Sequence, residues 1–172
     1  YYKLVDSTNQ PLYTNIQLKD TRINFVEQFL TGIFSEVDGK ATGQLTIQGD
    51  PTSPSLLGDV LVKNATLKVD YTQVNYHIDS LRIKFLEDGI DFGKFIAKDK
   101  YNNKANGSGK LYEKQFENMA FDFDVTTNNL LLIDTKAKDN PLFYGKAFGK
   151  ANFSFKGPST NSKITLVAES TD

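Results

Sequence analysis

Leu81-Arg82-Ile83-Lys84-Phe85-Leu86-Glu87-Asp88-Gly89-Ile90-Asp91-Phe92 is the stretch on which the fold turns. Leu81, Ile83 and Phe85 alternate with Arg82 and Lys84, and Ile90 and Phe92 flank Asp91. A period of two sends successive side chains to opposite faces of a β-strand. Asp88-Gly89 is the residue pair that a two-residue hairpin turn favours. The stretch reads as an antiparallel hairpin with one apolar and one charged face.

The same pattern continues in both directions. Leu45 and Ile47 alternate, and Gly49, Asp50, Pro51 and Pro54 then signal a turn. Val60 and Val62 form one alternating run, and Leu67, Val69 and Tyr71 form another in the opposite phase, which predicts a bulge or turn at Asn64-Ala65. Asn102-Asn103 and Asn106-Gly107 flank a further turn. Phe121, Phe123 and Val125 point one way, with Asp122 and Asp124 opposed to them. Residues 130–133 read as a short strand. Ala151, Phe153 and Phe155 alternate up to Gly157-Pro158, and Ile164 and Leu166 begin a last run. Residues 12–18 form the first strand. Only residues 23–34 carry apolar side chains at spacings of three and four, which predicts one short helix capped by Asp20 or Thr21.

The expectation is an all-β fold of nine or ten short strands, and the absence of crossover helices excludes parallel βαβ units. A length of 172 residues suits a single domain over residues 1–172. The chain starts and ends in mid-pattern, which reads as a fragment of a longer protein. Gly39-Lys-Ala-Thr-Gly43 leading to Gly49 resembles Gly145-Lys-Ala-Phe-Gly149 leading to Gly157, a weak internal repeat over 39–49 and 145–157. Two similar hairpins in a glycine-rich β protein would read the same way.

Composition narrows the function. Twenty basic and 21 acidic residues are interspersed, giving net charge −1, so the broad phosphate-neutralising surface of a nucleic-acid binder is not expected. There is no cysteine, which removes disulfides, thiolate metal sites and a cysteine nucleophile. No run of 18 apolar residues is present. His77 is the single histidine, and Asp79 lies two residues on, where a solvated polar pair is the simpler reading than catalysis. Glu87, Asp88 and Asp91 could supply oxygen ligands to calcium, but the EF-hand spacing is missing and Asp-Gly already serves the turn. Asn64, Asn106 and Asn152 head glycosylation triplets that are common by chance. No catalytic residue, metal ligand or cofactor site is assigned, and the chain is read as a non-enzyme.

What remains is a sheet with an apolar face that must be covered. It can pack on a second sheet or curl round a ligand, and periodicity does not choose between them.

The order and spacing of several segments resemble the C-terminal conserved region of the TamB family, within the AsmA-like group and in its Bacteroidota form. The resemblance is carried by Gly32-Ile-Phe-Ser-Glu-Val-Asp-Gly39-Lys-Ala-Thr-Gly43-Gln-Leu-Thr-Ile-Gln-Gly49 with Pro54, and by Leu57-Gly58-Asp-Val-Leu-Val-Lys-Asn-Ala-Thr-Leu67. It continues in Phe143-Tyr-Gly145-Lys-Ala-Phe-Gly149-Lys-Ala-Asn-Phe153 and ends at Gly157-Pro158. It covers the chain from about Ile23 onward through loose, glycine-based motifs. The resemblance implies an elongated, curled antiparallel or mixed sheet, a half-pipe known as a β-taco, with an apolar inner face. It implies a periplasmic body anchored in the inner membrane, phospholipid or another acyl lipid as cargo, and an outer-membrane Omp85-type barrel, TamA-like, as partner. The groove lining would then be Leu45, Ile47, Val60, Val62, Leu67, Val69, Tyr71, Leu81, Ile83, Phe85, Ile90, Phe92, Phe121, Phe123, Val125, Ala151, Phe153 and Phe155. The alternative is a β-sandwich module that binds a glycan or a protein.

Overall fold

A computed structural model describes residues 11–112, 119–139 and 144–171. Nine strands form one antiparallel sheet in sequential order. They are β1 (Leu12–Arg22), β2 (Phe34–Asp50), β3 (Ser53–Val69), β4 (Val74–Leu86), β5 (Gly89–Lys98), β6 (Lys104–Tyr112), β7 (Ala120–Thr135), β8 (Gly145–Pro158) and β9 (Lys163–Ser170). The edges β1 and β9 do not pair with each other, so the sheet is open, in keeping with a curled half-pipe. The accessible surface of 12023 Å² exceeds the roughly 8,500 Å² of a compact chain of this mass, as expected for a single layer.

The strands are longer than their runs of alternation predict. Asn64 adopts a left-handed conformation (φ 50°), which Asn tolerates better than most residues. The two out-of-phase runs therefore lie on one 17-residue strand, β3, and the slip at Asn64 is absorbed without a turn. Residues 130–133 likewise continue β7 across a register shift between Thr127 and Leu130. Three turn expectations shift. The hairpin residues are Glu87 and Asp88, because Leu86 already pairs with Gly89. A Cβ on Gly89 would lie 1.9 Å from the Leu111 carbonyl oxygen, so glycine there serves close strand approach. Asn106 and Gly107 are in β6, and Pro54 is in β3 opposite Gly49. The expected helix is a 3₁₀ turn over Asn24–Phe29. Of the segments that carry the family resemblance, Phe143 lies outside the described residues.

Register sorts the two faces. On the polar face the ladder runs Asp59, Lys84, Asp91, Lys110, Asp122, Lys156, alternating in sign across β3 to β8. Opposite charges on facing positions stabilise the pairing, and a one-residue slip would carry these charges to the apolar face. Lys156 bridges Asp122 at 3.0 Å and Asp124 at 2.7 Å, and Arg82 bridges Asp59 at 2.9 Å.

The ladder breaks once in mid-sheet. β4 changes phase at Asp79-Ser80, opposite Asn64, so β3 and β4 stay in step. β5 changes phase at Gly93 (φ 57°), which is not opposite that point. Ser80, from the polar face, would have to face Phe95, from the apolar face. β4 and β5 pair at His77-Ile78 with Ala97-Lys98 and from Lys84 to Leu86 with Gly89 to Asp91; between 79–83 and 92–96 there is no ladder pair. Those amides of 79–83 and 92–96 that point across the β4–β5 seam, rather than toward β3 or β6, are expected to exchange with deuterium at least tenfold faster than those of 58–62, measured by NMR. Equal protection would mean that the seam is closed in solution.

Candidate functional site: an apolar sheet face

Cross-strand partners share a face, so the register can be followed from strand to strand. One row reads Leu45, Gly58, Phe85, Ile90, Leu111, Phe121 and Gly157. A second reads Phe95, Gly107, Val125, Phe153 and Leu166. A third, of small residues, reads Ala65, Ile78, Ala97, Ala105, Thr127, Ala151 and Ala168. Ala65, Ile78, Ala105, Thr127 and Ala151 of that row are buried, Ala65 and Ile78 within one hydrophobic cluster. Val60 and Val62 are buried in the same cluster, against which Leu45, Leu81, Ile83, Phe85 and Phe95 pack.

Glycines in β6 shape the aromatic part. A Cβ on Gly107 would lie 2.3 Å from the Phe95 ring, and one on Gly109 would lie 2.1 Å from the Phe123 ring. Each phenyl therefore covers a bare stretch of β6, as aromatic side chains do beside strand glycines. Phe92 and Phe123 meet with ring centroids 5.5 Å apart, and Phe121 stacks on Phe155 at 4.3 Å. These rings are half-buried: they touch one another along the sheet, and among the described residues no second sheet covers them.

The structure places seventeen of the eighteen proposed lining residues in strands, on this face or at its bulges. Tyr71 is the exception. It sits in the turn between β3 and β4 and is 70% exposed. Sequence reading missed Phe95, Leu111, Tyr76 and Ile78. Val74, Tyr76 and Ile78 do alternate, so that signal was available. Phe95 was hidden because Gly93 resets the phase just before it.

At one end of the strands the sheet is clasped. The β5–β6 hairpin stops at Lys98 and Lys104, short of its neighbours, so β4 and β7 meet beyond its tip. The Tyr76 hydroxyl donates to the Leu131 carbonyl (2.9 Å), and Asp134 N–H donates to the Thr72 carbonyl (3.0 Å). Burial, with the nearby Asp99 charge, pushes the Tyr76 phenol well above its ordinary pKa. Asp99, itself 4% exposed, occupies the hairpin tip. It accepts from Tyr101 N–H (2.8 Å), Asn103 N–H (3.0 Å), Asn103 Nδ2 (2.9 Å) and, on β7, Leu131 N–H (2.8 Å). Burial raises the Asp99 pKa, but the donors from Leu131, Asn103 and Tyr101 outweigh it and hold the carboxyl below the usual range.

The polar candidates are dispersed. His77 Nε2 lies 2.9 Å from Asp79 Oδ1 on the exposed face, and Asp79 also holds Lys98. Asp88 pairs with Lys110 at 2.9 Å, while Asp91 accepts from Gly93 N–H at 2.7 Å. Among the described residues no three histidine or acidic side chains gather into a metal site. The two repeat segments fall in β2 and β8, where Gly43 and Gly149 play the same part: a Cβ would lie 2.2 Å and 2.6 Å from a carbonyl oxygen of the next strand. No family model, curated protein or solved structure matches the chain.

A carboxylate with a lowered folded pKa stabilises above its unfolded value of about 3.9, and that stability is lost as pH falls through the folded pKa. Asp99→Asn faces an amide NH₂ toward N–H donors and is expected to cost about 1–3 kcal/mol at pH 7. Urea unfolding at pH 7 and pH 3 is the measurement. The wild-type advantage over Asp99→Asn should shrink at pH 3, and an unchanged gap would show that Asp99 does not act as an ionised clasp.

Proposed function

We propose that the sheet curls with its apolar face inward and forms a segment of a trough that holds the acyl chains of a lipid. The observation that carries this is a sheet whose apolar face runs across consecutive strands, with no second layer over it among the described residues. The order of segments that resembles TamB supports the same reading. On that basis the chain would be part of an envelope-spanning protein in the periplasm. It would pass phospholipid between inner and outer membranes alongside an Omp85-type barrel, and carry out no chemistry of its own.

The energetics suit such a role. Nine strands at about 4.8 Å spacing present a face roughly 38 Å long, against about 15 Å for the acyl region of one leaflet. Each methylene taken out of water contributes about 0.8 kcal/mol. Because the phenyl rows continue from strand to strand, that gain changes little as a chain slides along them. A headgroup stays in water at the open side and avoids the cost of desolvating charge.

Lipid extraction and mass spectrometry of the protein purified from a diderm envelope should find co-purifying phospholipid. Phe123→Arg should keep its strand content by circular dichroism, because the arginine stem can lie over Gly109 while the guanidinium reaches water. It should lose most of the bound lipid. A lipid-free wild-type protein, or an unchanged load in folded Phe123→Arg, would reject the trough.

A further inference from the structure

The clasped rim also concentrates charge. The β5–β6 tip (residues 99–104) and the adjoining end of β7 and start of β8 (residues 134–139 and 144–150) together hold Lys100, Lys104, Lys136, Lys138, Lys146 and Lys150 against Asp99, Asp134 and Asp139. That is an excess of three positive charges in a chain whose net charge is −1. All six lysines are exposed. Lys100 is ion-paired with Asp134, whose charge also acts on Lys146, and Lys150 lies opposite Glu169 on β9, while among the described residues no salt bridge engages Lys104.

Aromatic side chains lie among these lysines. Tyr101, at the hairpin tip, is 48% exposed and rests against Phe148 with centroids 5.3 Å apart. The Lys146 ammonium donates to the Tyr101 hydroxyl at 2.8 Å and lies 5.4 Å from the ring centroid, with that of Lys100 at 5.5 Å. Tyr144, just before β8, is 66% exposed. Holding an amphipathic ring at the surface between ammonium groups matches what a bilayer interface selects. Tyrosine settles at headgroup depth, and lysine extends to anionic phosphates.

We infer that this rim is a docking surface for an anionic phospholipid membrane, with Tyr101 and Tyr144 at the interface and Lys104, Lys136 and Lys146 against the headgroups. A soluble polyanion would satisfy the lysines but would leave the two exposed tyrosine rings unused. The inference rests on the rim alone and does not depend on the apolar face carrying lipid. The clasp makes the surface a fixed one, since Asp99 ties the hairpin tip to β7 within it.

Flotation with vesicles tests it. The protein should float with phosphatidylcholine vesicles containing about one-third phosphatidylglycerol at 50 mM NaCl. It should be released at 500 mM NaCl and should not float with phosphatidylcholine alone. The combined Lys104→Gln, Lys136→Gln, Lys146→Gln variant should bind roughly a hundredfold more weakly, at about tenfold or less per lysine. Tyr101→Ser should weaken binding at constant charge. A control with Lys63→Gln, Lys84→Gln and Lys94→Gln, away from the rim, should bind as wild type. No flotation of the wild type, equal loss in both triple variants, or binding to heparin without binding to vesicles would each overturn the inference. Lipid co-purification from the trough is read separately, so either result can fail without the other.

Discussion

The structure depends on keeping two faces of one sheet sorted. A single layer has no second sheet to correct an error, and a one-residue slip between neighbours would exchange the phenyl rows for the charged ladder. Alternating charges from Asp59 to Lys156 hold each strand against its neighbour on one side, while Val60, Val62, Ala65 and Ile78 do so on the other. Where a strand must change phase, its neighbour has to change at the same level. β3 and β4 meet that condition at Asn64 and Asp79. β4 and β5 do not, and their ladder is missing between 79–83 and 92–96 for that reason.

The same economy shapes the clasped end. A β5–β6 hairpin shorter than its neighbours leaves room for β4 and β7 to close over its tip. At its centre Asp99 accepts four hydrogen bonds in a buried position, while the Thr72 hydroxyl beside it is buried without a partner among the described residues. A buried carboxylate is tolerable only when it is fully satisfied in this way. The opposite ends of the strands, around Asp50, Glu87 and Asp88, carry exposed acidic turns.

These features bear on function through what they leave uncovered. The half-buried phenyls of β5, β7 and β8 have neighbours along the sheet but, among the described residues, no layer across it, a state that favours an apolar occupant. The polar face holds many of its charges in cross-strand pairs, and of the carboxylates that could have served calcium, Asp88 pairs with Lys110 and Asp91 accepts from Gly93 N–H. A trough that conducts a lipid and a rim that meets a membrane would be complementary uses of one sheet, although each rests on different residues.

Much of this was legible from residues alone. Period-two alternation in Leu81, Ile83 and Phe85, or in Phe121, Phe123 and Val125, is set by strand geometry and needs no partner to be read. It placed the strands and the face on which most of their apolar residues lie. Local sequence also placed the slip at Asn64, because a phase change shows wherever two alternating runs meet. Only the tertiary structure decided whether that slip ended the strand. A left-handed Asn64 costs little when β4 supplies a matching irregularity, and nothing near Asn64 in the chain announces Asp79. The helical spacing of residues 23–34 gave way to a 3₁₀ turn, where Glu27 accepts from Val37 N–H and Ile23 packs on the core cluster. Asp99 could not be recognised in advance, because its fourth donor, Leu131, lies 32 residues away and is brought to it only by the closure of β7 over the hairpin tip.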